Sequence, residues 1–297
     1  MLKTVLVTGA TGKQGGSVIK ALAAAPNPKL NILALTRDAH SSRSHSLAQQ
    51  YPSVKLVAGD LSDPDAIFKA IGSPVWGVFS VQTPYGKGSS LESELAQGKA
   101  LVSSALRNNV KFFVYSSVDR GGARSDSGPS PVPHFETKRQ VEIHLREQAA
   151  TTDMQYTILR PTFFMENLTN DTQGKLIAAA WRANVDPKGL QLVATSDIGY
   201  FAAQAFINPD EYAGRAVSIA GDELTYAQAS AIWQEQTGSQ MPTGWGLLAW
   251  ALLAGIKDLR YMFKWFREEG YGANIAELRR LHPELQDLSI WLKSNRK

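Results

Sequence analysis

Three glycines recur at intervals of three near the start of the chain, in Thr8-Gly9-Ala-Thr-Gly12-Lys-Gln-Gly15-Gly16. The spacing is G-x-x-G-x-x-G, not the G-x-G-x-x-G of the generic dinucleotide fingerprint. Each glycine has a separate reason to be there. Gly9 permits a tight turn, Gly12 lets backbone approach phosphates, and Gly15 lets a helix pack on a strand. Thr11 and Gln14 lie in the same turn and are counted with the glycines as cofactor contacts. The chemistry is the holding of a dinucleotide pyrophosphate, since the N–H groups and positive dipole end of a new helix face the anion.

That chemistry needs a strand before the turn and a helix after it. Thr4-Val-Leu-Val7 is a short apolar, β-branched run that reads as a strand buried on both faces, and Ser17-Val-Ile-Lys-Ala-Leu-Ala has a helix pattern. A second strand, Asn31-Ile-Leu-Ala-Leu-Thr36, leads to Arg37-Asp38 and on to Arg43. In a dinucleotide fold the tip of this strand meets the adenosine ribose, where a carboxylate suits NAD and an arginine suits the 2′-phosphate of NADP. Arg37, with Arg43 as a second cation, therefore points to NADP(H). Asp38 contacts a ribose or simply starts the next turn, and Arg37 has the alternative of a solvated loop charge.

A third strand, Val54–Val57, ends in Ala58-Gly-Asp60-Leu61-Ser62-Asp63. Asp60 is placed to hydrogen-bond an adenine edge and Leu61 to cover its face. The competing use of Asp60 or Ser62 is to cap a helix over Pro64–Ile71, and Asp63-Pro64 also resembles a helix start. Strand four is Gly77–Val81, followed by the loop Gln82–Gly88 over the nicotinamide side. A helix from about Ser90 to Asn108 presents Leu91, Leu95, Leu101, Val102 and Leu106 on one broad face. Strand five, Lys111–Tyr115, ends in Ser116-Ser117. A Gly/Ser/Pro-rich loop then precedes a helix beginning near His134, and strand six is Gln155–Leu159. Alternating strands and helices argue for a Rossmann-type α/β fold, a doubly wound parallel sheet with its ligand at the carboxyl ends of the strands.

Composition narrows the function classes. The chain has 297 residues, 43% of them hydrophobic and 20% charged, the balance of a soluble globular protein. With no cysteine, thiolate metal sites, disulfides and cysteine nucleophiles are excluded, and no metal site is expected. The net charge of +4 is spread without a Lys/Arg block, so direct nucleic-acid binding is not expected. The longest apolar run, Leu247–Ala254, is far below the roughly 18–20 residues of a membrane span. The first strand starts almost at Met1, so we expect no secretory signal and a cytoplasmic location, with the nucleus also open.

The residues Val7–Gly16, Leu35-Thr-Arg37, Gly59-Asp60, Tyr115-Ser-Ser, His134-Phe-Glu-Thr-Lys138 and Leu159-Arg-Pro…Glu166-Asn167-Leu168 resemble the NmrA-like family, an atypical branch of the short-chain dehydrogenase/reductases. Ala220–Thr225 and Ser289–Leu292 extend the resemblance over nearly the whole chain. It implies a Rossmann domain, 1–168, with a small, mostly helical C-terminal lobe, 169–297, interleaved with the Rossmann core. It also implies NADP(H) binding. Some members are NADP(H) sensors that regulate partner proteins, and relatives reduce quinones or aromatic compounds.

This chain departs from the reductase pattern at one place. Active short-chain reductases carry Tyr-x-x-x-Lys, in which the lysine lowers the tyrosine pKa and the tyrosine supplies a proton. Here the same spacing reads His134-x-x-x-Lys138. Four apart on a helix, the two share a face, and an imidazole can donate a proton near neutral pH. Lys138 is a candidate for the nicotinamide ribose or the site carbonyl, with a solvated helix lysine as the alternative. Ser117 matches a serine-like position on the substrate side, and Asn167 with Glu166 either closes the substrate mouth or pins its loop.

The C-terminal third reads as a poorly patterned crossing over 170–200, a helix from Asp197 through Phe206, a short strand Val217–Ala220, and a helix Tyr226–Thr237 capped by Thr225 and closed by Gly238. These pieces are expected to wall the substrate side. The stretch 245–271 is rich in Trp, Tyr and Phe, which serve as lobe core, as a wall for an aromatic or lipid-like substrate, or as a patch for a partner. A homodimer through this surface is one arrangement the sequence allows. Two functions follow. One is an NADP(H) redox sensor acting through a protein partner with little turnover, suggested by the absent tyrosine. The other is an NADPH-dependent reductase of an apolar carbonyl, quinone or enone centred on Lys138. A purely structural relic without cofactor is weakened by the presence of Arg37 and Asp60.

Overall fold

The computed structural model describes residues 2–26, 29–86, 88–244 and 256–295. The chain begins β1 (Thr4–Val7), α1 (Lys13–Ala24), β2 (Asn31–Thr36), α2 (Ser42–Gln50), β3 (Lys55–Ala58), α3 (Pro64–Ile71), β4 (Gly77–Ser80) and α4 (Leu91–Arg107). It continues with β5 (Phe112–Ser116), α5 (Pro133–Ala149), β6 (Gln155–Pro161), β7 (Phe163–Phe164), α6 (Thr172–Asn184), β8 (Leu190–Val193), α7 (Thr195–Ile207) and α8 (Pro209–Tyr212). The remaining elements are β9 (Ala216–Ile219), β10 (Asp222–Leu224), α9 (Tyr226–Thr237), α10 (Lys257–Glu268), α11 (Ile275–Leu281) and α12 (Leu288–Ser294). Among the described residues no helix is long and apolar enough to cross a membrane.

The chain divides into two compact units, each assembled from three segments. The first comprises Met1–Ser117, Thr137–Leu159 and Ile198–Val217; the second comprises Val118–Glu136, Arg160–Asp197 and Ser218–Lys297. The domain boundary expected at 168 falls inside the second unit.

The first unit is built on a seven-stranded sheet of order β3-β2-β1-β4-β5-β6-β9, with the pairings from β3 through β6 all parallel. Strand order reverses between β1 and β4, the switch point where such sheets open a crevice at their carboxyl ends. Val5, Leu6 and Val7 have no exposed surface, as their unbroken apolar run requires of a central strand. Local chemistry sets the helix ends. Asp63 accepts from Ala66 N–H ahead of Pro64, and Gly72 closes α3 at φ 63°. Ser90 and Ser93 form a reciprocal cap on α4. The apolar faces of α3, α4 and α5 (Ile67, Phe68, Leu101, Val102, Val141, Leu145) pack with Leu6, Leu33, Val78 and Phe113 into one core.

The second unit holds a three-stranded sheet, β10-β8-β7. Its core is aromatic. Phe135, Phe163, Trp181, Phe263, Trp265 and Phe266 are all buried, with Phe135 and Trp265 rings 5.2 Å apart and edge-to-face. The described part of the aromatic stretch therefore supplies core through α10, while 245–255 lies outside the described residues.

The crossing expected over 170–200 is replaced by two regular elements, α6 and β8. Helix α6 buries Gly174, Ala178, Ala179, Ala180 and Trp181, so its inward face is made mostly of small residues that mark a stripe weakly in the sequence. Strand β8 is four residues long and buried on both faces, which leaves no alternation to read. By contrast, α9 spans the expected residues, with Thr225 as its cap and Gly238 left-handed at φ 73°.

Candidate functional site

The glycine turn is held by sterics that leave little choice of residue. Gly9 adopts φ 60°, and Gly12 N–H donates to Gly9 O at 2.9 Å. A Cβ at Gly15 would lie 2.3 Å from Gly9 O and 2.5 Å from Thr8 O, so any side chain there collides with backbone. A Cβ at Gly12 would meet only Gly9 O, at 3.2 Å, on an exposed part of the turn. Helix α1 has no side-chain cap and no acidic residue in its first turn, which leaves its N-terminal N–H groups facing out as an anion cradle. Thr8 ties this turn to the neighbouring strand end, because its Oγ1 accepts Val81 N–H at 2.9 Å. Thr11 is half-buried in the turn. Gln14 reaches across instead: its Oε1 accepts Ser116 Oγ–H at 2.6 Å, joining α1 to the end of β5.

Arg37 stands exposed just beyond β2, as does Arg43 in the first turn of α2. Asp38 is occupied by its own loop, accepting His40 N–H on Oδ1 at 2.8 Å and Ser44 Oγ–H on its carbonyl at 2.7 Å. One of the two uses expected for Asp38, the start of the turn, is thus present. Asp60 also organises a turn, with Oδ1 accepting Ser62 N–H at 2.8 Å. Hydrogen bonds from the Ser62 backbone and hydroxyl, with the Arg37 charge, hold its carboxyl below the usual carboxylate range. Asp63 is the residue that caps α3. Leu61 is partly buried and packs against the first unit's core.

Lys138 lies on α5 with its side chain 12% exposed. Its Nζ is 2.8 Å from Glu94 Oε1 and 3.4 Å from the carbonyl oxygen of Gln82, the first residue of the loop following Val81. The Glu94 side chain has no exposed surface, and its other oxygen accepts Thr137 Oγ–H at 2.6 Å. Ser117, also buried, donates its hydroxyl proton to buried Glu142. Glu94 and Glu142 escaped the sequence reading. The signal for Glu94 was present, since it falls on the same face of α4 as Leu91, Leu95, Leu101 and Val102, where a carboxylate is out of place without a partner.

In the second unit His134 is buried and paired. Its Nδ1 is 2.7 Å from Asp258 Oδ2, and its backbone N–H donates to Asp258 Oδ1 at 3.1 Å. Asp258 lies in the first turn of α10, and nothing in the sequence marks it as a partner for residue 134. Asn167 ends a 3-10 turn, Met165–Asn167. Its neighbour Glu166 pins that turn, with Oε1 accepting from Thr195 N–H at 2.9 Å and from the Trp291 indole at 3.3 Å. Among the described residues no group of three or more His, Asp or Glu could hold a metal ion.

The profile of the NmrA-like family matches residues 1–289. The chain is 27% identical over 292 residues to the NmrA-like family domain-containing oxidoreductase ptmS of Penicillium ochrochloron, spanning 90% of this chain and 84% of that one. Two solved structures share the fold. The Citrobacter sp. triphenylmethane reductase complexed with NADP(H) superposes with a TM-score of 0.74 at 18% identity, over 99% of this chain and 100% of the other. NmrA, a negative transcriptional regulator in complex with NADP, superposes with a TM-score of 0.70 at 19% identity, over 99% and 95%. The glycine turn, the parallel sheet and a profile match over nearly the full length lead to one assignment: the chain belongs to the NmrA-like family.

Proposed function

We propose that this chain binds NADP(H) on its first unit and reports the redox state of that cofactor to a protein partner, with little or no turnover of its own. The observation that carries the second half is the commitment of both side chains in the His134-x-x-x-Lys138 pair. His134 is held by Asp258 and Lys138 by Glu94, so neither resembles a mobile proton donor awaiting substrate. The first half is supported by the Gly9–Gly15 cradle, by the uncapped start of α1 and by Arg37, whose forked guanidinium suits a 2′-phosphate. The fold shared with proteins solved with NADP(H) agrees with it.

In this reading Gly12, Thr11 and the first turn of α1 hold the pyrophosphate, Arg37 the 2′-phosphate, Asp60 and Leu61 the adenine side, and Lys138 the nicotinamide ribose. Bound NADPH supplies a hydride. A second reading, reduction of an apolar carbonyl, quinone or enone, is favoured by the survival of Lys138 in a buried position and by the oxidoreductase designation of the ptmS relative.

One experiment separates the two. NADPH binding is titrated calorimetrically, and NADPH consumption is followed in the same sample against a panel of quinones, aldehydes and enones, with Lys138→Ala alongside. The expected outcome is binding without consumption above background. Turnover that disappears in Lys138→Ala makes the protein a reductase, and absence of binding to NADPH and NADP+ alike removes both readings.

A further inference from the structure

We infer that Glu94 is a positioning residue for Lys138, a buried carboxylate whose task is to aim the lysine ammonium at a bound cofactor. The inference rests on the reading that the first unit binds NADP(H), and it adds a residue that neither the glycine motif nor the His-x-x-x-Lys pattern contains. A lysine side chain on a helix surface samples many rotamers and loses that freedom when it binds a ligand. Lys138 is engaged in one of them. Glu94 Oε1 holds its Nζ at 2.8 Å, and the Gln82 carbonyl oxygen lies at 3.4 Å. Glu94 is itself fixed, because Thr137, the residue beside Lys138 on α5, donates to its second oxygen at 2.6 Å. Carboxylate, hydroxyl and ammonium thus form a closed bracket between α4 and α5.

Packing explains how the bracket closes. Gly98 lies one turn beyond Glu94 on α4, and a Cβ there would stand 2.7 Å from a Val141 methyl and 3.5 Å from Gln82 Oε1. The missing side chain lets α4 approach α5 closely enough for a short Glu94 to reach Lys138. The rest of that α4 face, Leu101, Val102 and Ala105, is apolar and fully buried, and a leucine at 94 would complete it. Burying a carboxylate there costs free energy that an ion pair at best offsets. What the pair provides is direction: an ammonium paired with Glu94 at 2.8 Å and donating to the Gln82 carbonyl oxygen at 3.4 Å, beside the loop that follows the carboxyl end of β4.

The test compares two ligands on the full-length protein. NADPH spans the whole site, whereas 2′,5′-ADP carries only the adenosine half and cannot reach Lys138. Calorimetric titrations are made with wild type, Glu94→Gln, Lys138→Met and the double variant. A positioning role predicts that Glu94→Gln weakens NADPH about tenfold, the scale of one charge-assisted hydrogen bond, and leaves 2′,5′-ADP unchanged. It further predicts that Glu94→Gln adds nothing once Lys138 is Met. Should Glu94→Gln fail to fold, Gly98→Ala, which parts the helices and keeps every charge, is expected to show the same split between ligands. The inference is overturned if a folded Glu94→Gln binds NADPH as wild type does, if both ligands weaken in parallel, or if the loss persists in the Lys138→Met background. Wild-type protein that binds neither ligand overturns the cofactor reading itself, a result distinguishable from all of these.

Discussion

His134 and Asp258 form a paired unit in which one carboxylate holds both the ring Nδ1, at 2.7 Å, and the backbone N–H, at 3.1 Å, of the same histidine. The side chains are 11% and 13% exposed, so solvent offers little substitute for either contact. The histidine therefore serves as a joint between the start of α5 and the first turn of α10. Asp258→Ala is expected to destabilise the protein by about 2–3 kcal/mol, because it strips both donors of their acceptor. NADPH affinity is expected to stay at the wild-type value. Urea denaturation with an NADPH titration on the same preparation checks both, and a drop in affinity without a drop in stability would reverse the assignment.

Arg37 is the residue at which the proposed preference for NADP(H) is tested. It is exposed, and Asp60, the carboxylate that feels its charge, is already engaged with Ser62. Arg37→Ala is expected to raise the Kd for NADPH about 10–100-fold, the loss of a charge-assisted phosphate contact, and to leave NADH binding unchanged. Equal losses for both cofactors would show that Arg37 supports the loop and not the 2′-phosphate.

Two adjacent glycines in α1 should behave in opposite ways. Gly15→Ala drives a methyl into Gly9 O and Thr8 O, at 2.3 and 2.5 Å, and is expected to cost about 3 kcal/mol along with NADPH binding. At Gly16 a Cβ would stand 3.4 Å from Ala10 O, a contact that small shifts relieve. Gly16→Ala should be neutral or stabilising by up to about 1 kcal/mol, the helix propensity gain of alanine. Thermal unfolding of the pair is a direct check.

His144 gives the stability a defined pH dependence. Burial, followed by the nearby Lys99 charge, pushes its pKa below the ordinary 6.5, and its Nε2 is 3.0 Å from Ser103 Oγ. The folded protein thus binds fewer protons here than the unfolded chain. Stability should fall as pH drops through 6.5 and stop falling on this account below the depressed folded value. His144→Gln should flatten that part of a denaturation-midpoint profile between pH 7 and 5. An unchanged slope would place its origin elsewhere.

Much of the fold was legible because its signals are local. A buried strand, a glycine turn and a helix follow one another within residues 4–24, and the caps Asp63, Ser90 and Thr225 each sit three residues from the N–H they bind. Helix α6 and strand β8 were illegible for physical reasons: the buried face of α6 is mostly glycine and alanine, which mark a stripe weakly, and β8 is buried on both faces, which erases the alternation that reveals a strand. Asp38 shows the limit at single-residue scale. The sequence left it between a ribose and a turn, and its hydrogen bonds from His40 N–H and the Ser44 hydroxyl show the turn.

By itself the sequence determined the sheet, the glycine cradle, the cation after β2, and the presence of a lysine without its tyrosine. These depend on residue type and on neighbours a few positions away. Tertiary structure alone decided what those residues touch. Gln14 is met by Ser116 from 102 residues away, His134 by Asp258 from 124, and Ser117 by Glu142 from 25. Lys138 meets Glu94 from 44 positions away, where a Cβ at Gly98 would stand 2.7 Å from a Val141 methyl. Hydrogen bonds and ion pairs act within about 3 Å, and that distance is set by how whole elements pack, which no local spacing encodes.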